Sequence, residues 1–273
     1  ALRMGKTEVV DADLARYFDT IPHRKLMLQV ARRVSDGAIL ELIKAWLRAP
    51  IREEGPGGGH RMVANTCGTP QGGVISPLLA NIYLHPLDGA VNDACREKPR
   101  MIRYADDVVI LCRPGEGPDM KRRLARWLQS RGLVLNETKT RVLQSCASSF
   151  EFLGFTFRWQ QSRKGTPYVH TEPSPGAEQA LWQRVRVLTR QRTTWRNPKE
   201  VVREINQVTR GWGNYFALGH YARSFRQMNH FIAHRLRQWL WRKHGNPSGK
   251  YQRWPDQQLP TAYGLYPLPG SYR

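Results

Sequence analysis

Apolar and polar positions along this 273-residue chain follow two periods. Residues 8–14 alternate and are rich in β-branched side chains, which predicts a strand that ends near Asp13. The period then becomes helical and predicts two helices, one capped by Thr20 and one running from Asp36 to Arg48. The first helix is expected to turn Leu26, Val30 and Val34 inward. The second helix carries apolar side chains at helical spacing: Ile39, Leu40, Ile43, Trp46 and Leu47.

A glycine-rich stretch precedes the next helix. Residues 68–77 read Gly-Thr-Pro-Gln-Gly-Gly-Val-Ile-Ser-Pro. Pro77 suits the first turn of an apolar helix that reaches about Val91, with Ser76 as its cap. Glycines let the backbone approach a ligand closely, and the Gln71 amide can both donate and accept hydrogen bonds. A plain linker between helices is the alternative interpretation.

Two adjacent carboxylates interrupt the next apolar run. Residues 101–111 predict a strand, a tight turn and a second strand, with Asp106 and Asp107 at the turn. Like charges this close repel and raise one pKa unless a cation neutralises them. The residues themselves therefore allow either an ordinary Asp-Asp turn or a divalent-metal site.

Further along, the pattern predicts a helix from Pro118 to about Ser130 and a strand from Gly132 to Leu135 that leads into a polar turn at 136–140. Residues 150–157 are strongly β-forming, and Gly154 within them indicates a bulge or a close backbone approach.

A helical period returns from Ala177, after the Pro-containing run 172–176. The tryptophans in this region recur at helical spacing, which favours core packing over base stacking. We therefore predict an α/β domain over residues 1–172 and an all-α domain over residues 173–273.

Charge adds a partner class to this picture. The formal net charge is +21, and residues 178–273 carry 17 Lys and Arg against 4 Asp and Glu. Such an excess favours a polyanionic partner, and nucleic acid is a better match than an anionic membrane surface. No run approaches the roughly 20 apolar residues of a membrane-spanning helix, so no membrane partner is expected.

The cysteine and histidine spacing points away from structural metal sites. The scattered cysteines predict reduced thiols and a cytoplasmic location, in association with nucleic acid. His230 and His234 are four residues apart, but no third ligand is evident, which favours a basic helix surface over zinc.

Six motifs occur in the order found in group II intron reverse transcriptases. They are Asp13–Asp19, Thr69–Gly73 with Ser76–Leu84, Tyr104–Asp107, Asn136–Thr140, Phe152–Phe155, and Gly211–Phe216, which resembles the thumb or maturase region. The chain thus resembles the group II intron reverse transcriptase/maturase family over nearly its whole length. The resemblance implies an α/β (α+β) fold: a right-hand polymerase palm with an antiparallel sheet and packed helices, then a basic all-α thumb. It also implies that most of the family's fingers, which precede the first catalytic strand, are missing from this sequence.

The resemblance makes Asp13 and Asp106 ligands of two Mg2+ ions, for which Mn2+ is a possible substitute, with Asp107 alongside them. Two-metal phosphoryl transfer requires carboxylates that converge from separate strands. Asp11 competes for the first position. The family pattern has an aromatic residue five positions after the metal-binding Asp, and Phe18 fits that spacing from Asp13.

Other residues acquire substrate roles from the same resemblance. Phe18 corresponds to the steric gate that blocks a ribose 2′-hydroxyl, with a core aromatic as the alternative, and Gln71 and Gly72 line the incoming nucleotide. Lys139 corresponds to a lysine near the triphosphate, with a solvated turn lysine as the alternative. Gly154 belongs to the hairpin that grips the primer end.

The Arg-rich helical faces are expected to bind the template-primer duplex through its phosphates, with Arg184, Arg203 and Arg210 as candidates. The implied activity is that of an RNA-directed DNA polymerase, a nucleotidyltransferase. Its partners would be an RNA template, a DNA or RNA primer, deoxynucleoside triphosphates and intron RNA. The alternatives are a maturase-type RNA-binding splicing cofactor and a catalytically inactive polymerase fragment; nothing in the sequence selects a host-defence role.

Overall fold

The structure is a computed structural model that describes residues 1–54, 58–70, 72–92, 99–246 and 248–270. Contacts divide the chain into two units, Ala1–Ser148 and Ser149–Arg273. Both combine helices with antiparallel strands, so the predicted mixed class is confirmed. No helix in the described ranges has the length and apolar composition needed to cross a membrane.

The first unit has six strands and five helices in its described part. The strands are β1 (Glu8–Ala12), β2 (Ile51–Glu54), β3 (His60–Val63), β4 (Arg100–Tyr104), β5 (Asp107–Cys112) and β6 (Arg141–Gln144). The helices are α1 (Tyr17–Thr20), α2 (His23–Val30), α3 (Gly37–Arg48), α4 (Ser76–Val91) and α5 (Gly117–Arg131).

The central sheet has the order β4-β5-β1-β6, and every neighbouring pair is antiparallel. β1 lies inside it, which accounts for its β-branched sequence: Val9 and Val10 are fully buried. Helix side chains complete the core, including Leu26 of α2, Leu84 of α4 and Leu128 of α5. The predicted strand ending near Asp13 and the helix predicted from Pro118 are both confirmed.

Two predicted helix caps are wrong. Thr20 ends α1 and donates its hydroxyl to the carbonyls of Arg16 and Tyr17, whereas α2 begins only after Pro22. Ser76 is already helical, and its hydroxyl donates to the Pro70 carbonyl. In both cases the hydroxyl donates to a carbonyl that precedes it, a local side-chain bond that competes with capping.

Helix α3 matches its prediction more closely. Asp36 caps it by accepting from the Ile39 N–H, and Ile43 and Leu47 are buried. Ile39 and Trp46 are nevertheless 46% and 45% exposed, because the buried stripe is narrower than the apolar one.

The strand predicted over residues 132–135 is wrong. Leu135 forms only an isolated bridge to Leu14, and β6 pairs with β1 in its place. The β2–β3 hairpin was not predicted from the sequence. Residues 55–59 read Gly-Pro-Gly-Gly-Gly, which predicts a flexible loop, and residues 55–57 of it lie outside the described residues.

The second unit contains a three-stranded sheet and five helices in its described part. The strands are β7 (Phe150–Phe152), β8 (Phe155–Gln161) and β9 (Pro167–Pro173). The helices are α6 (Pro175–Leu188), α7 (Pro198–Phe216), α8 (Ala222–Lys243), α9 (Lys250–Arg253) and α10 (Gln258–Tyr263).

The β-forming run at 150–157 is a hairpin rather than one strand. Its two turn residues, Leu153 and Gly154, have φ of 50° and 76°, as a tight hairpin turn requires. A Cβ on Gly154 would lie 3.2 Å from the Phe216 ring, so the predicted close approach is found here, against the chain's own side chain.

The division between units differs from the predicted boundary at 172/173. Residues 150–173 belong with the helices because Phe155 enters their core, 4.9 Å from the Phe216 ring centroid. Trp239 is fully buried in that core, as predicted for the tryptophans, whereas Trp195 is 81% exposed.

Two asparagines attach residues 264–268 to the helices of the second unit. The Asn206 amide bonds the Gly264 carbonyl and the Tyr266 N–H, at 2.7 and 2.8 Å. The Asn229 amide bonds both the carbonyl and the N–H of Leu268. The attached segment places Leu265 and Leu268 in the core, where Leu259 of α10 is also buried.

Candidate active site

The three predicted carboxylates lie at one end of β1 and β5, which we call the carboxylate end (Asp13, Asp106, Asp107). Ala12 pairs with Val108, so the next position of this antiparallel register sets Asp13 opposite Asp107. Residues opposed in this way have Cβ atoms roughly 5 Å apart. Asp106 lies in the two-residue turn between β4 and β5, closed by the Tyr104–Asp107 pair. Asp11 lies farther inside the sheet, opposite Val109 and Arg141.

Residues of the turn at 136–140, which follows α5, contact Asp13. The Asn136 side-chain amide donates to Asp13 Oδ2 at 2.9 Å, and the Asn136 backbone N–H donates to the Asp13 carbonyl at 2.8 Å. Lys139 Nζ lies 3.6 Å from the same Oδ2. Lys139 is 69% exposed, so it can neutralise Asp13 and remain free to move.

The electrostatics of the carboxylate end favour an incoming cation. The pKa of Asp107 is raised, first by partial burial and then by the negative charges of Asp106 and Asp13, while Lys139 opposes the rise. This is the repulsion expected of neighbouring carboxylates without a counter-ion.

The carboxylate oxygens of the carboxylate end suit a hard divalent ion. Among the described residues, no three His, Cys, Asp or Glu side chains are grouped closely enough to hold a metal ion. His230 and His234 therefore belong to no such group. Mg2+ commonly uses only one or two carboxylates together with substrate phosphates and water. The carboxylate end fits that mode of binding and does not form a complete protein cage.

Phe18 lies on α1, in the segment that follows Asp13. It is partly buried against the core, and its carbonyl accepts from the Thr69 N–H at 2.6 Å. Gly68, with φ of 82°, packs so tightly on α1 that a Cβ would lie 2.7 Å from the carbonyl carbon of Asp19. The glycine-rich segment is thus joined to the residue predicted as the steric gate, and its first glycine serves that packing.

The rest of the glycine-rich segment is more open. Gly72 has φ of 88° and open space where a Cβ would stand, whereas a Cβ on Gly73 would meet the Ser76 hydroxyl. Gln71 lies outside the described residues, so its predicted role at the nucleotide stays a prediction.

Residues that the sequence did not single out also support this region. The Arg103 guanidinium bonds Asp88 through both carboxylate oxygens and also bonds Asn81 and the Ala105 carbonyl. Tyr17 donates its hydroxyl to the Ala80 carbonyl. No local pattern predicts the bonds of Arg103 to Asp88 and Asn81 or of Tyr17 to Ala80, because these partners are remote in sequence. Asn136, like Tyr17, was visible only as part of a motif.

In the second unit, a basic groove of about 830 Å³ lies between α7 and residues 262–264. Its charged lining residues are Lys199, Arg203 and Arg210, which recur along one face of α7. The Arg210 guanidinium lies 4.8 Å from the centroid of the Tyr266 ring. Two of the predicted duplex-binding arginines therefore share one concave surface.

Arg184 does not line that groove. It is exposed on α6, where its charge and that of Arg203 reach Glu204. The pKa of Glu204 is lowered mainly by its hydrogen bond with Arg196, and these charges lower it further. Gly154 also belongs to the second unit, and its predicted role in gripping a primer stays a prediction.

Comparison with known proteins gives two family matches. Residues 2–157 match the family described as reverse transcriptase (RNA-dependent DNA polymerase). Residues 179–258 match the group II intron maturase-specific domain.

Two curated relatives are similar to parts of this chain. Protein YkfC of Escherichia coli is 32% identical over an alignment of 194 positions, which covers 58% of this chain and 48% of YkfC. The group II intron-encoded protein LtrA of Lactococcus lactis is 40% identical over 84 residues, 31% of this chain and 13% of LtrA. The chain spans less than half the length of either relative.

Among solved structures, apo telomerase from Candida tropicalis aligns with 86% of this chain and 47% of its own, at a TM-score of 0.49 and 12% identity. The reverse transcriptase match covers more than half of the sequence and a maturase-specific domain follows it. This chain therefore belongs to the reverse transcriptase (RNA-dependent DNA polymerase) family, in its group II intron maturase branch.

Proposed function

We propose that this chain is an RNA-directed DNA polymerase of the group II intron type. In the reaction, the primer 3′-oxygen forms a bond to the α-phosphorus of a deoxynucleoside triphosphate, and pyrophosphate leaves. The observation that carries the proposal is that Asp13, directly after β1, and Asp107, at the start of the paired strand β5, lie at the same end of the sheet, with Asp106 in the adjoining turn. Carboxylates from separate strands are what this class of phosphoryl transfer requires.

Asp13 and Asp106, with Asp107 alongside, would hold two Mg2+ ions, and Mn2+ is a possible substitute. When bound, such ions make the primer hydroxyl a better nucleophile and stabilise charge on the leaving group. The chain's own contribution is to hold the carboxylates ready. Asn136 orients Asp13, and Lys139, 3.6 Å from it, can turn toward the triphosphate when the carboxylate gains another cation.

Substrate selection is assigned to the neighbouring α1 segment. Phe18 would exclude a ribose 2′-hydroxyl, and the tight packing of Gly68 against α1 would keep its backbone in place. Gln71 and Gly72 would line the nucleotide and the template.

The test is primer extension on an RNA template with deoxynucleotides and Mg2+. The parent should extend the primer, and Asp106→Ala should not. Asp119→Ala is the matched control, because Asp119 lies in the same unit on the surface of α5, where it pairs with Arg122 and Arg123 of the same helix. Equal extension by the parent and Asp106→Ala would reject the proposal.

A second candidate function is maturase-type binding of intron RNA without chemistry. The maturase-specific match and the basic groove favour it. The two functions separate experimentally, because Asp106→Ala should retain RNA affinity and splicing assistance while losing synthesis. Binding of structured RNA by a parent that extends no primer would leave the maturase as the function of this chain.

A further inference from the structure

The turn that carries Asp106 has an unfavourable backbone conformation for its sequence. Its first residue, Ala105, has φ of 53°. A two-residue hairpin turn that needs positive φ at this position normally uses Gly, because a Cβ makes the left-handed region costly. Interactions outside the turn must therefore hold it in this shape.

Arg103 supplies those interactions. Its Nη1 donates to the Ala105 carbonyl at 3.0 Å and to Asn81 Oδ1 at 2.9 Å. Its Nε and Nη2 donate to the two carboxylate oxygens of Asp88 at 2.8 and 2.6 Å. The side chain is only 9% exposed, so the planar guanidinium has little freedom to leave this arrangement.

Both anchors of Arg103 belong to α4, seven residues apart and therefore on one face of the helix. The residue next to Asn81 is Ala80, whose carbonyl accepts from the Tyr17 hydroxyl. Tyr17 directly precedes Phe18 on α1. Helix α4 thus contacts both the segment bearing Asp106 and the segment bearing Phe18, through Asn81 and Asp88 in the first case and Ala80 in the second.

We propose that Arg103 is the positioning residue for Asp106: anchored to Asp88 and Asn81, it holds the Ala105 carbonyl and so keeps the turn in the conformation that presents the Asp106 carboxylate. The consequence for catalysis rests on the proposed function, but the consequence for divalent-ion binding does not. A lysine retains the charge at this position but cannot form the bidentate pair and reach the Ala105 carbonyl together.

The test measures Mn2+ binding to the full chain by electron paramagnetic resonance, without substrate, in the parent, Asp106→Ala and Arg103→Lys. The same proteins are assayed for single-turnover primer extension against Mg2+ concentration. We expect Arg103→Lys to weaken the Asp106-dependent Mn2+ binding about 10-fold and to raise the half-saturating Mg2+ concentration similarly. The KM for deoxynucleotides at saturating Mg2+ should stay within about twofold of the parent.

Arg100→Lys is the matched control, because Arg100 is an exposed arginine on the same strand. Asn81→Ala leaves the pair between Arg103 and Asp88 intact, so it should shift both readouts in the same direction by less. It also serves as the test if Arg103→Lys does not fold.

The outcomes separate the two proposals. If the parent extends no primer but binds Mn2+ through Asp106, the polymerase proposal fails and the Mn2+ affinity of Arg103→Lys still decides the role of Arg103. Unchanged Mn2+ affinity in folded Arg103→Lys would overturn the positioning role. Absence of Asp106-dependent binding in the parent would also overturn it.

Discussion

The carboxylate end of the first unit and the basic groove of the second unit hold their charges in different ways. At the carboxylate end, hydrogen bonds from neighbouring side chains hold Asp13 through Asn136 and the turn bearing Asp106 through Arg103. The groove instead presents cations along one exposed helix face. A reaction that depends on geometry needs side chains held in place by hydrogen bonds, whereas attraction of a polyanion requires mainly a high density of positive charge.

The largest effect should come from the carboxylate end. Asp13→Asn removes a charge that the reaction requires and should lower single-turnover extension about a thousandfold or more. Asn136→Ala removes only the orienting amide and should lower the rate about 10- to 100-fold. Quench-flow primer extension measures both. Equal losses would mean that Asn136 does more than orient Asp13.

The next largest effects should be on the free energy of unfolding. In each unit one glycine packs so closely on a neighbouring segment that an added Cβ would contact it. Gly68→Ala would force a Cβ against the α1 backbone in a left-handed conformation and should destabilise by about 3 kcal/mol. Gly213→Ala meets only the end of the Leu268 side chain, which can move, and should cost about 1 kcal/mol. Urea unfolding measures both changes.

The control for both glycines is Gly89→Ala, in the last turn of α4 with open space around the added methyl. It should stabilise by about 0.5–1 kcal/mol, because Ala is the better helix former. A Gly68→Ala variant as stable as the parent would show that the packing against α1 is dispensable.

RNA binding by the basic groove should depend on the number of its positive charges. Replacing Arg203 and Arg210 by Gln should weaken RNA binding about 10-fold and reduce the slope of log K against log salt by about 2. Arg223→Gln is the control, since Arg223 is exposed on α8 away from the groove lining. Fluorescence anisotropy at several salt concentrations measures the slope. Equal effects of the control would indicate general charge rather than the groove.

The smallest effect concerns Asp107 in the metal-free chain. Its raised pKa means that the folded state binds the proton more tightly than the unfolded state. The contribution of Asp107 to the free energy of unfolding is therefore most favourable at low pH. It is lost as the pH rises from the ordinary pKa of 3.8 through the raised pKa of the folded state. Asp107→Asn should stabilise the chain at neutral pH by less than about 1 kcal/mol, because solvent screens a partly exposed group. Thermal unfolding with a chelator present, at pH 4 and pH 7, measures the difference.

Local pattern predicted most of the elements that surround the site. The β-branched run of β1, the helical periods of α3 and α5 and the hairpin around Asp106 all depend on neighbours in sequence. The register that brings Asp13 near Asp107 cannot be predicted from neighbours in sequence, because it depends on the pairing of β1 with the distant strand β5. Only the family resemblance brought those carboxylates together in advance.

What escaped prediction was decided by tertiary contacts. The hydrogen bonds of Arg103 reach across 15 and 22 residues to α4, and no spacing rule identifies them. Residues 132–135 have strand propensity, but β6 occupies the place beside β1. The domain boundary differed for the same reason, since Phe155 is buried by helices that follow it in sequence.

The attachment of residues 264–268 by Asn206 and Asn229 has a practical consequence for anyone dissecting this protein. The maturase-specific match stops at residue 258, yet Leu259, Leu265 and Leu268 lie in the core of the unit. The reverse transcriptase match likewise stops inside β8, at residue 157. Expression fragments cut at the family limits would expose apolar surface at both cuts, whereas a cut between Ser148 and Ser149 would respect the way the chain packs.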